Sequence, residues 1–519
     1  MGNEVSEVKR DANAVADEET PSKRGTSPQG YSKALVGVGI IAFFVLCVWA
    51  GYVLENGRVT WLALTVKLFF IGFSALGALC SVTISATTGL GAEWMEGLKT
   101  IPDLFLVIGG MLAGRHLLSP VIATCFGWTT YVGSNPAVIA SIFIATDMGG
   151  NQLSKELSTD PITKELDVGQ YYTANLLGYS LGDLMSFAIP LGLVVLPTQR
   201  FRLYFILGTV PGIIATPFGA MVTYAIWYFQ APMVNTRIAA EAELDAKLEV
   251  QFWRASLAAL TPCLALGVPF MVLAKYRVQW LSTLFQRFGD LVNILIRFFF
   301  VLAIAQYFGR LSFLFPQMWR MEPLLHGSLG GPLSGGEAGL EIAGSIGCIL
   351  TGVYPFIYIL REMFKPLVLS VGSLLGFRSP DGNAVVGAFG GMTNTIFLFK
   401  VIPHVQEKDD IMLACAYVVS AGYALGDFLV YCSIYQPSIL GTMLLGKVLG
   451  GIFGCYLAKY TVCTFELPDH FDDEEPMKEA QPVDAEAQKQ VATEKTFVFS
   501  TELSPRTYGS ITSGRSASK

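Results

Sequence analysis

Charge is what this 519-residue chain has least of. Only 15% of its residues are Asp, Glu, Lys or Arg, where a soluble domain carries about 25%. That shortfall argues against an ordinary globular enzyme. Histidine is scarce too: His116, His326, His404 and His470 lie far apart and form no HExxH motif, so metal chemistry has no sequence support. The nine cysteines include no CxxC pair and are dispersed in or beside apolar stretches. They read as small packing residues, not as a disulfide framework or a zinc site. No basic patch suggests a nucleic-acid partner, and no cofactor is expected. The net charge of −6 belongs to the ends. Residues 1–33 hold 5 basic and 6 acidic residues and residues 462–519 hold 6 and 11, which leaves 34–461 balanced at 24 of each.

What the chain has instead is apolar length. Lipid offers backbone groups no hydrogen bonds, so each apolar run of about 20 residues is expected to be a helix. Roughly twelve such runs occur, at 34–54, 61–82, 101–123, 129–150, 170–196, 202–228, 253–274, 289–308, 340–361, 383–403, 411–436 and 439–461. The fold class is therefore an all-α polytopic membrane protein with about 11–12 hydrophobic helices and the lipid bilayer as its solvent. The tails, 1–33 and 462–519, are polar and expected to be disordered. The first apolar run begins after 33 polar residues, which does not fit a cleavable signal. The start Met1-Gly2-Asn3-Glu4-Val5-Ser6 fits the short myristoylation pattern. Glu241, Asp245 and Glu249 recur every four residues and predict an aqueous helix over 237–251. The Gly- and Pro-rich stretch 309–339 reads as a loop.

Two halves of the chain repeat one another. Gly178-Tyr179-Ser180-Leu181-Gly182-Asp183 returns as Gly422-Tyr423-Ala424-Leu425-Gly426-Asp427. Pro136-Ala137-Val138-Ile139 through Thr146-Asp147 returns as Asn383-Ala384-Val385-Val386 through Thr393-Asn394, and Leu207-Gly208, Val210 and Gly212 return as Leu445-Gly446, Val448 and Gly450. The expected plan is repeat 1 over about 61–230, a linker at 231–288 and repeat 2 over 289–461. Duplicated membrane halves are the usual architecture of secondary transporters, with substrate held at the midplane between them. Twelve crossings would make the repeats parallel. Basic loops at Arg200 and Arg202, at Lys275, Arg277 and Arg287, and at Arg361, Lys365 and Arg378 all satisfy the positive-inside rule only if one early run does not cross. The Gly-interrupted run 129–150 is the candidate, and the repeats are then inverted.

A carboxylate at mid-membrane costs at least ~2.5–3.5 kcal/mol, so it usually faces a cavity and has a task. Asp147, Asp183 and Asp427 lie within apolar runs, each with glycine close by, and Asn394 is the counterpart of Asp147. One reading is a site for a small cation, completed by aromatic faces among Trp128, Tyr131, Tyr179 and Tyr423. The plainer reading is that each Asp caps a broken helix or pairs with an internal base, and that Tyr179 and Tyr423 only pack.

These residues also resemble a known family. The stretch Ser134-Asn135-Pro136 through Thr146-Asp147-Met148-Gly149-Gly150 with Leu153, Lys155, Glu156 and Leu157, the stretch Ile342 to Pro355, the run Val419-Ser420-Ala421 through Ala424-Leu425-Gly426-Asp427, the pairs Gly446-Lys447 and Gly450-Gly451, and Glu93 to Gly97 are similar to the EutH ethanolamine permeases. The resemblance covers roughly 93–452 and implies a permease without enzymatic activity. The charged tails and the run at 34–54 depart from the family pattern, and Asp183 does not look like a family signature. For ethanolamine, a small ammonium with a hydroxyl, Asp147 or Asp427 would take the cation, and Asn135, Asn175, Thr393 or Asn394 the oxygen. Competing readings are a transporter of choline, an amino acid or a metal cation, and, more remotely, an intramembrane aspartyl protease using Asp183 and Asp427. The protease GxGD pattern is broken by Ala424 and Ser180. A plasma-membrane location is expected, and the oligomeric state, homo-oligomer included, stays open.

Overall fold

The computed structural model describes residues 30–54, 61–127, 135–145, 150–160, 162–163, 165–229, 252–309, 339–380, 382–422, 424 and 437–465. Residues 1–196 and 201–466 form one unit; 197–200 group with 467–519 in another, of which only the bend at 197–198 and the first two residues of a helix are described. The expected linker helix at 237–251, residues 310–338 of the expected loop, and nearly all of both tails lie outside the described residues.

The chain runs as α1 (Gly30–Leu54), α2 (Trp61–Thr83), α3 (Gly89–Lys99), α4 (Ile101–Phe126), α5 (Pro136–Phe143), α6 (Gly150–Ser158) and α7 (Val168–Leu177). Two π-helical turns, Gly178–Gly182 and Leu184–Ala188, lead into α8 (Ile189–Val195), α9 (Gln199–Phe229), α10 (Phe252–Tyr276) and α11 (Val278–Gly309). Then follow α12 (Gly339–Met363), α13 (Lys365–Leu375), α14 (Asn383–Gly391), α15 (Thr395–Val401), α16 (Lys408–Ala421) and α17 (Pro437–Tyr460). No strand occurs among the described residues; one isolated bridge joins Thr159 and Leu166.

Among the described residues, seven helical stretches are long and apolar enough to cross a membrane: 36–54, 64–83, 173–195, 199–226, 256–276, 278–305 and 346–363. Most of the expected runs are helices with nearly the expected bounds. Three are not continuous. The run 411–436 holds α16, which ends at Ala421 with Gly422 left-handed, and residues 423 and 425–436 lie outside the described residues. The run 129–150 contains α5, which ends at Phe143, and only the first residue of α6; the run 383–403 is divided into α14 and α15 at Asn394. The short helices α3 and α13 fall between runs. Proline inside α9 (Pro211, Pro217), α10 (Pro262, Pro269) and α12 (Pro355) is tolerated because neighbouring helices and side chains re-satisfy the freed backbone groups.

Exposure separates the helices physically. Val38, Ile41 and Trp49 on α1 and Ile294 and Val301 on α11 are more than 60% exposed, as lipid-facing side chains must be. By contrast α9 buries Leu203 to Leu207, and α16 buries every residue from Asp410 to Ala421. Helices α2, α3 and α12 pack closely on one another. The contact is built on glycine: a Cβ on Gly97 would strike the backbone of Thr351, and one on Gly352 would strike the carbonyl of Phe70. Phe43, Phe69, Phe70, Phe73 and Phe356 fill the space beside it with edge-to-face and tilted ring pairs. Helices α9 and α17 cross at Gly219 and Gly446, where a Cβ on Gly219 would stand 2.6 Å from the Gly446 carbonyl oxygen. Such small-residue crossings are how membrane helices gain packing where no hydrophobic force separates them from lipid.

Candidate functional site

The site grows from a break in the first interrupted run. Pro136 opens α5 at a position where its missing N–H costs nothing, and the Asn135 side chain caps the helix by accepting from the Ala137 N–H at 2.8 Å. Eight residues later the helix stops. Ile144 is extended, and the Gly150 N–H returns to the Ala145 carbonyl at 3.0 Å. Residues 146–149, with Asp147 among them, lie between these flanks and outside the described residues.

The π-helical segment packs on this break. A Cβ on Gly182 would stand 2.6 Å from the Ser141 carbonyl oxygen and 2.8 Å from that of Ile144, so glycine is needed there for backbone to meet backbone. Asp183, the next residue, joins the two π turns and is 6% exposed. π-turns inside helices are often found at functional positions. Polar side chains continue outward. Tyr171 donates to Asn151 Oδ1 at 2.6 Å, the Asn175 amide donates to the Tyr171 carbonyl at 2.7 Å, and Tyr224 on α9 donates to Thr173 Oγ1 at 2.8 Å. Part-buried and buried hydrogen bonds thus make a polar seam from α6 through α7 to α9.

The second interrupted run offers a related arrangement. Asn394 caps α15, accepting from the Ile396 N–H at 2.8 Å, and is buried. Helix α14 packs on both α16 and α12. At the far end of α16, Gly422 takes a left-handed conformation with φ 51°, a common way to end a helix. Its carbonyl accepts from the ammonium of Lys447 on α17 at 2.6 Å, and that lysine is only 5% exposed.

Of the seven residues anticipated for the site, Asn135, Asn394 and Asp183 are fully described. Each asparagine uses its side-chain oxygen as a helix cap, Asn394 at a break and Asn135 at the start of α5, which leaves the amide nitrogen as the end that can face a ligand oxygen. Asp183 lies on the segment packed against the α5 break, whereas Asn135 caps the opposite end of that helix. The backbone of Tyr179 is in the first π turn, but its side chain, together with Asp147, Tyr423 and Asp427, lies outside the described residues. Among the described residues no group of His, Cys, Asp and Glu is arranged to hold a metal ion. Sequence reasoning left Lys447, Asn151 and Tyr171 without a role. The signal for Lys447 was present, since it is a lone charge in the middle of the apolar run 439–461.

Seven apolar helices of spanning length among the described residues, helices interrupted inside apolar runs, and buried polar side chains at the interruptions define an integral, multi-pass membrane protein. A family model then places the chain among its relatives. The chain belongs to the family described as ethanolamine utilisation protein, EutH, whose model matches residues 64–461. It is similar to the "Probable ethanolamine permease EutH" of Salmonella typhimurium, 27% identical over 374 residues, covering 70% of this chain and 83% of that one. The Escherichia coli protein of the same name is 26% identical over the same coverage. The Listeria monocytogenes protein of that name is 25% identical over 74% of this chain and 91% of its own. No solved structure matches.

Proposed function

We propose that this protein carries ethanolamine, or a close small amine, across a membrane by alternating access around the two interrupted helices. The observation that carries the reading is the pair of breaks, α5–α6 and α14–α15, each with an asparagine-capped helix and each inside an apolar run. Irregular backbone at membrane depth is tolerated only where it is buried in protein or lines a cavity, and substrate sites of secondary transporters are built from such discontinuous helices. The names of the three relatives support ethanolamine as cargo.

Asp147 and Asp427 take the ammonium by charge, and Asp183 supports the site from the π segment. The amide nitrogens of Asn135 and Asn394 meet the hydroxyl oxygen, while Tyr179 and Tyr423 offer aromatic faces to the cation. A short helix, a break and a second short helix follow in the same order in both halves, which supports a duplicated plan. The failure of 129–150 to form one continuous helix supports the inverted arrangement.

The test is uptake of labelled ethanolamine into proteoliposomes by the wild type and by Asp427→Asn and Asp147→Asn, with choline and ammonium as competitors. The reading expects saturable uptake that one or both substitutions reduce at least tenfold and that neither competitor abolishes. Saturable uptake unchanged in both variants would remove the aspartates from the site. Absence of protein-dependent uptake in vesicles holding folded protein would remove ethanolamine.

A further inference from the structure

A second constellation lies away from the helix breaks, where α3, α12 and α15 meet. Glu93 and Glu96 are three residues apart on α3 and so share a face of that helix. Glu96 is committed: it accepts from Lys99 at 2.8 Å and from Lys400 of α15 at 2.5 Å. The same Lys400 ammonium stands 5.7 Å from the centre of the Tyr354 ring on α12. Glu93 makes no ion pair among the described residues. Tyr354 is 1% exposed, and its hydroxyl has no hydrogen-bond partner there, although Glu93 and Glu96 both lie near enough to act on it.

The Tyr354 hydroxyl is therefore held in the protein with its hydrogen-bonding capacity unspent, and half-buried Glu93 carries no ion pair among the described residues, beside a lysine that already has a carboxylate. A buried hydroxyl left without a partner costs about 1–3 kcal/mol, so a state of the protein that satisfies it is favoured. Lys400 stands on the half-helix that starts at Asn394, whereas Glu93 and Tyr354 stand on the closely packed group of α2, α3 and α12. A contact that Lys400 exchanges therefore changes what ties the interrupted helix to that group.

We propose that Glu93 is a proton-binding site of the transport cycle, at which release of the proton lets the Glu93 carboxylate take the Tyr354 hydroxyl hydrogen bond and draw Lys400 away from Glu96. The proton leaves the carboxyl group for water, while Lys400 remains an ammonium and exchanges one carboxylate partner for another. No other bond changes. The inference rests on the transporter reading, and it supplies the coupling ion that reading leaves unnamed.

The electrostatics agree in direction. Burial pushes the Glu93 carboxyl above its ordinary 4.5, opposed by Arg361 of α12 and Lys400 of α15 and reinforced by Glu96 of its own helix. No charged group of α2 or α4 enters that balance among the described residues. Glu96 moves the opposite way, held below 4.5 by hydrogen bonds from Lys400 and Lys99. Neighbouring carboxyls whose environments drive them apart take different protonation roles. Here the two directions make Glu93 the carboxyl that takes up a proton more readily and Glu96 the one that gives it up more readily.

Two measurements on the full-length protein test this separately from the cargo. The first is infrared titration of the purified, substrate-free protein in detergent, following the carboxylic-acid carbonyl band in the wild type, Glu93→Gln and Tyr354→Phe. The wild type should lose a protonated-carboxyl band at a pH above 4.5 that is missing in Glu93→Gln. In Tyr354→Phe the band should persist to higher pH, because the ionised form has lost a donor. A wild-type band set that Glu93→Gln leaves unchanged, or no shift in Tyr354→Phe, overturns the assignment whatever the cargo proves to be. The second is substrate-driven proton movement in proteoliposomes with ethanolamine as the probe. Glu93→Gln should lose the proton signal at least tenfold while retaining exchange of labelled for unlabelled ethanolamine. Proton movement that survives in Glu93→Gln overturns coupling at this site, and a wild type that moves no ethanolamine overturns the cargo reading but not the titration result.

Discussion

Asp410 is a demanding test of the fold, because the structure gives it no solvent exposure and a single set of partners. Its carboxylate accepts the Arg378 N–H at 2.9 Å and 3.1 Å on its two oxygens, and the Ser379 N–H at 2.7 Å. It thereby ties the connection between α13 and α14 to the first turn of α16. A hydrogen bond to a charged group is worth about 1.5–3 kcal/mol, and an orphaned buried donor costs about 1–3 kcal/mol. The Ser379 donor is buried, whereas Arg378 is exposed and water can replace part of its bond. Asp410→Ala should therefore cost about 2–4 kcal/mol of unfolding free energy, and Asp410→Asn, which keeps one acceptor oxygen, about 1–2 kcal/mol. The neighbouring Asp409 is the control. One of its oxygens is buried without a partner, and burial pushes its carboxyl above the ordinary 3.8, with Asp410 adding and Lys408 and Arg378 opposing. A carboxyl so raised binds its proton more tightly when folded, so its ionisation erodes stability as pH rises through the raised value. Asp409→Asn should be neutral or stabilising at neutral pH. Denaturant unfolding in detergent measures all three. An Asp410→Ala loss below about 1 kcal/mol, or equal losses for the two aspartates, would refute the reasoning.

Other outcomes follow from the same geometry. Gly352→Ala drives a methyl group into the Phe70 carbonyl and should destabilise the α2–α12 contact by about 1–3 kcal/mol, read as a lowered Tm with the helical circular-dichroism signal retained. Tyr224→Phe removes a buried hydroxyl that donates to Thr173 at 2.8 Å and should cost about 0.5–1.5 kcal/mol; a change near zero in denaturant unfolding would count against the polar seam. The Glu96 carboxylate, held below its ordinary 4.5 by Lys400 and Lys99, contributes stability present above pH 4.5 and lost as pH falls through the lowered value. Glu96→Gln should abolish that acid-side loss in a pH series of Tm values, and an unchanged series would contradict it.

The spanning helices could be read from sequence because lipid leaves the backbone one choice over a long apolar run. The break at Asn394 escapes that reading: it depends on an asparagine taking up the Ile396 N–H as a cap, and the short polar stretch Thr393 to Thr395 is flanked on both sides by apolar residues. Helices α3 and α13 are too short to announce themselves by apolar length, and they exist because their glycines and caps fit the neighbouring elements. Gly376, left-handed with φ 100°, ends α13 by donating to Gly372 and Ser373. Of the anticipated site, Asp183 was readable because a carboxylate in an apolar run stands out. Glu93 did not stand out, since its meaning depends on Tyr354, 261 positions away, and on Lys400, on a third helix. Asp410 was hidden for the same reason: in Lys408-Asp409-Asp410 one carboxylate reads like the next, and only the fold says which one the backbone of Arg378 and Ser379 selects.

The central claim is that interrupted helices carry a small amine across the membrane one side at a time. The most direct measurement is exchange: proteoliposomes preloaded with unlabelled ethanolamine are given labelled ethanolamine outside, and initial uptake is compared with that of empty vesicles. Alternating access predicts saturable uptake that is accelerated by ethanolamine on the far side. Uptake that is non-saturable, or indifferent to the internal amine at every external concentration, would contradict the account.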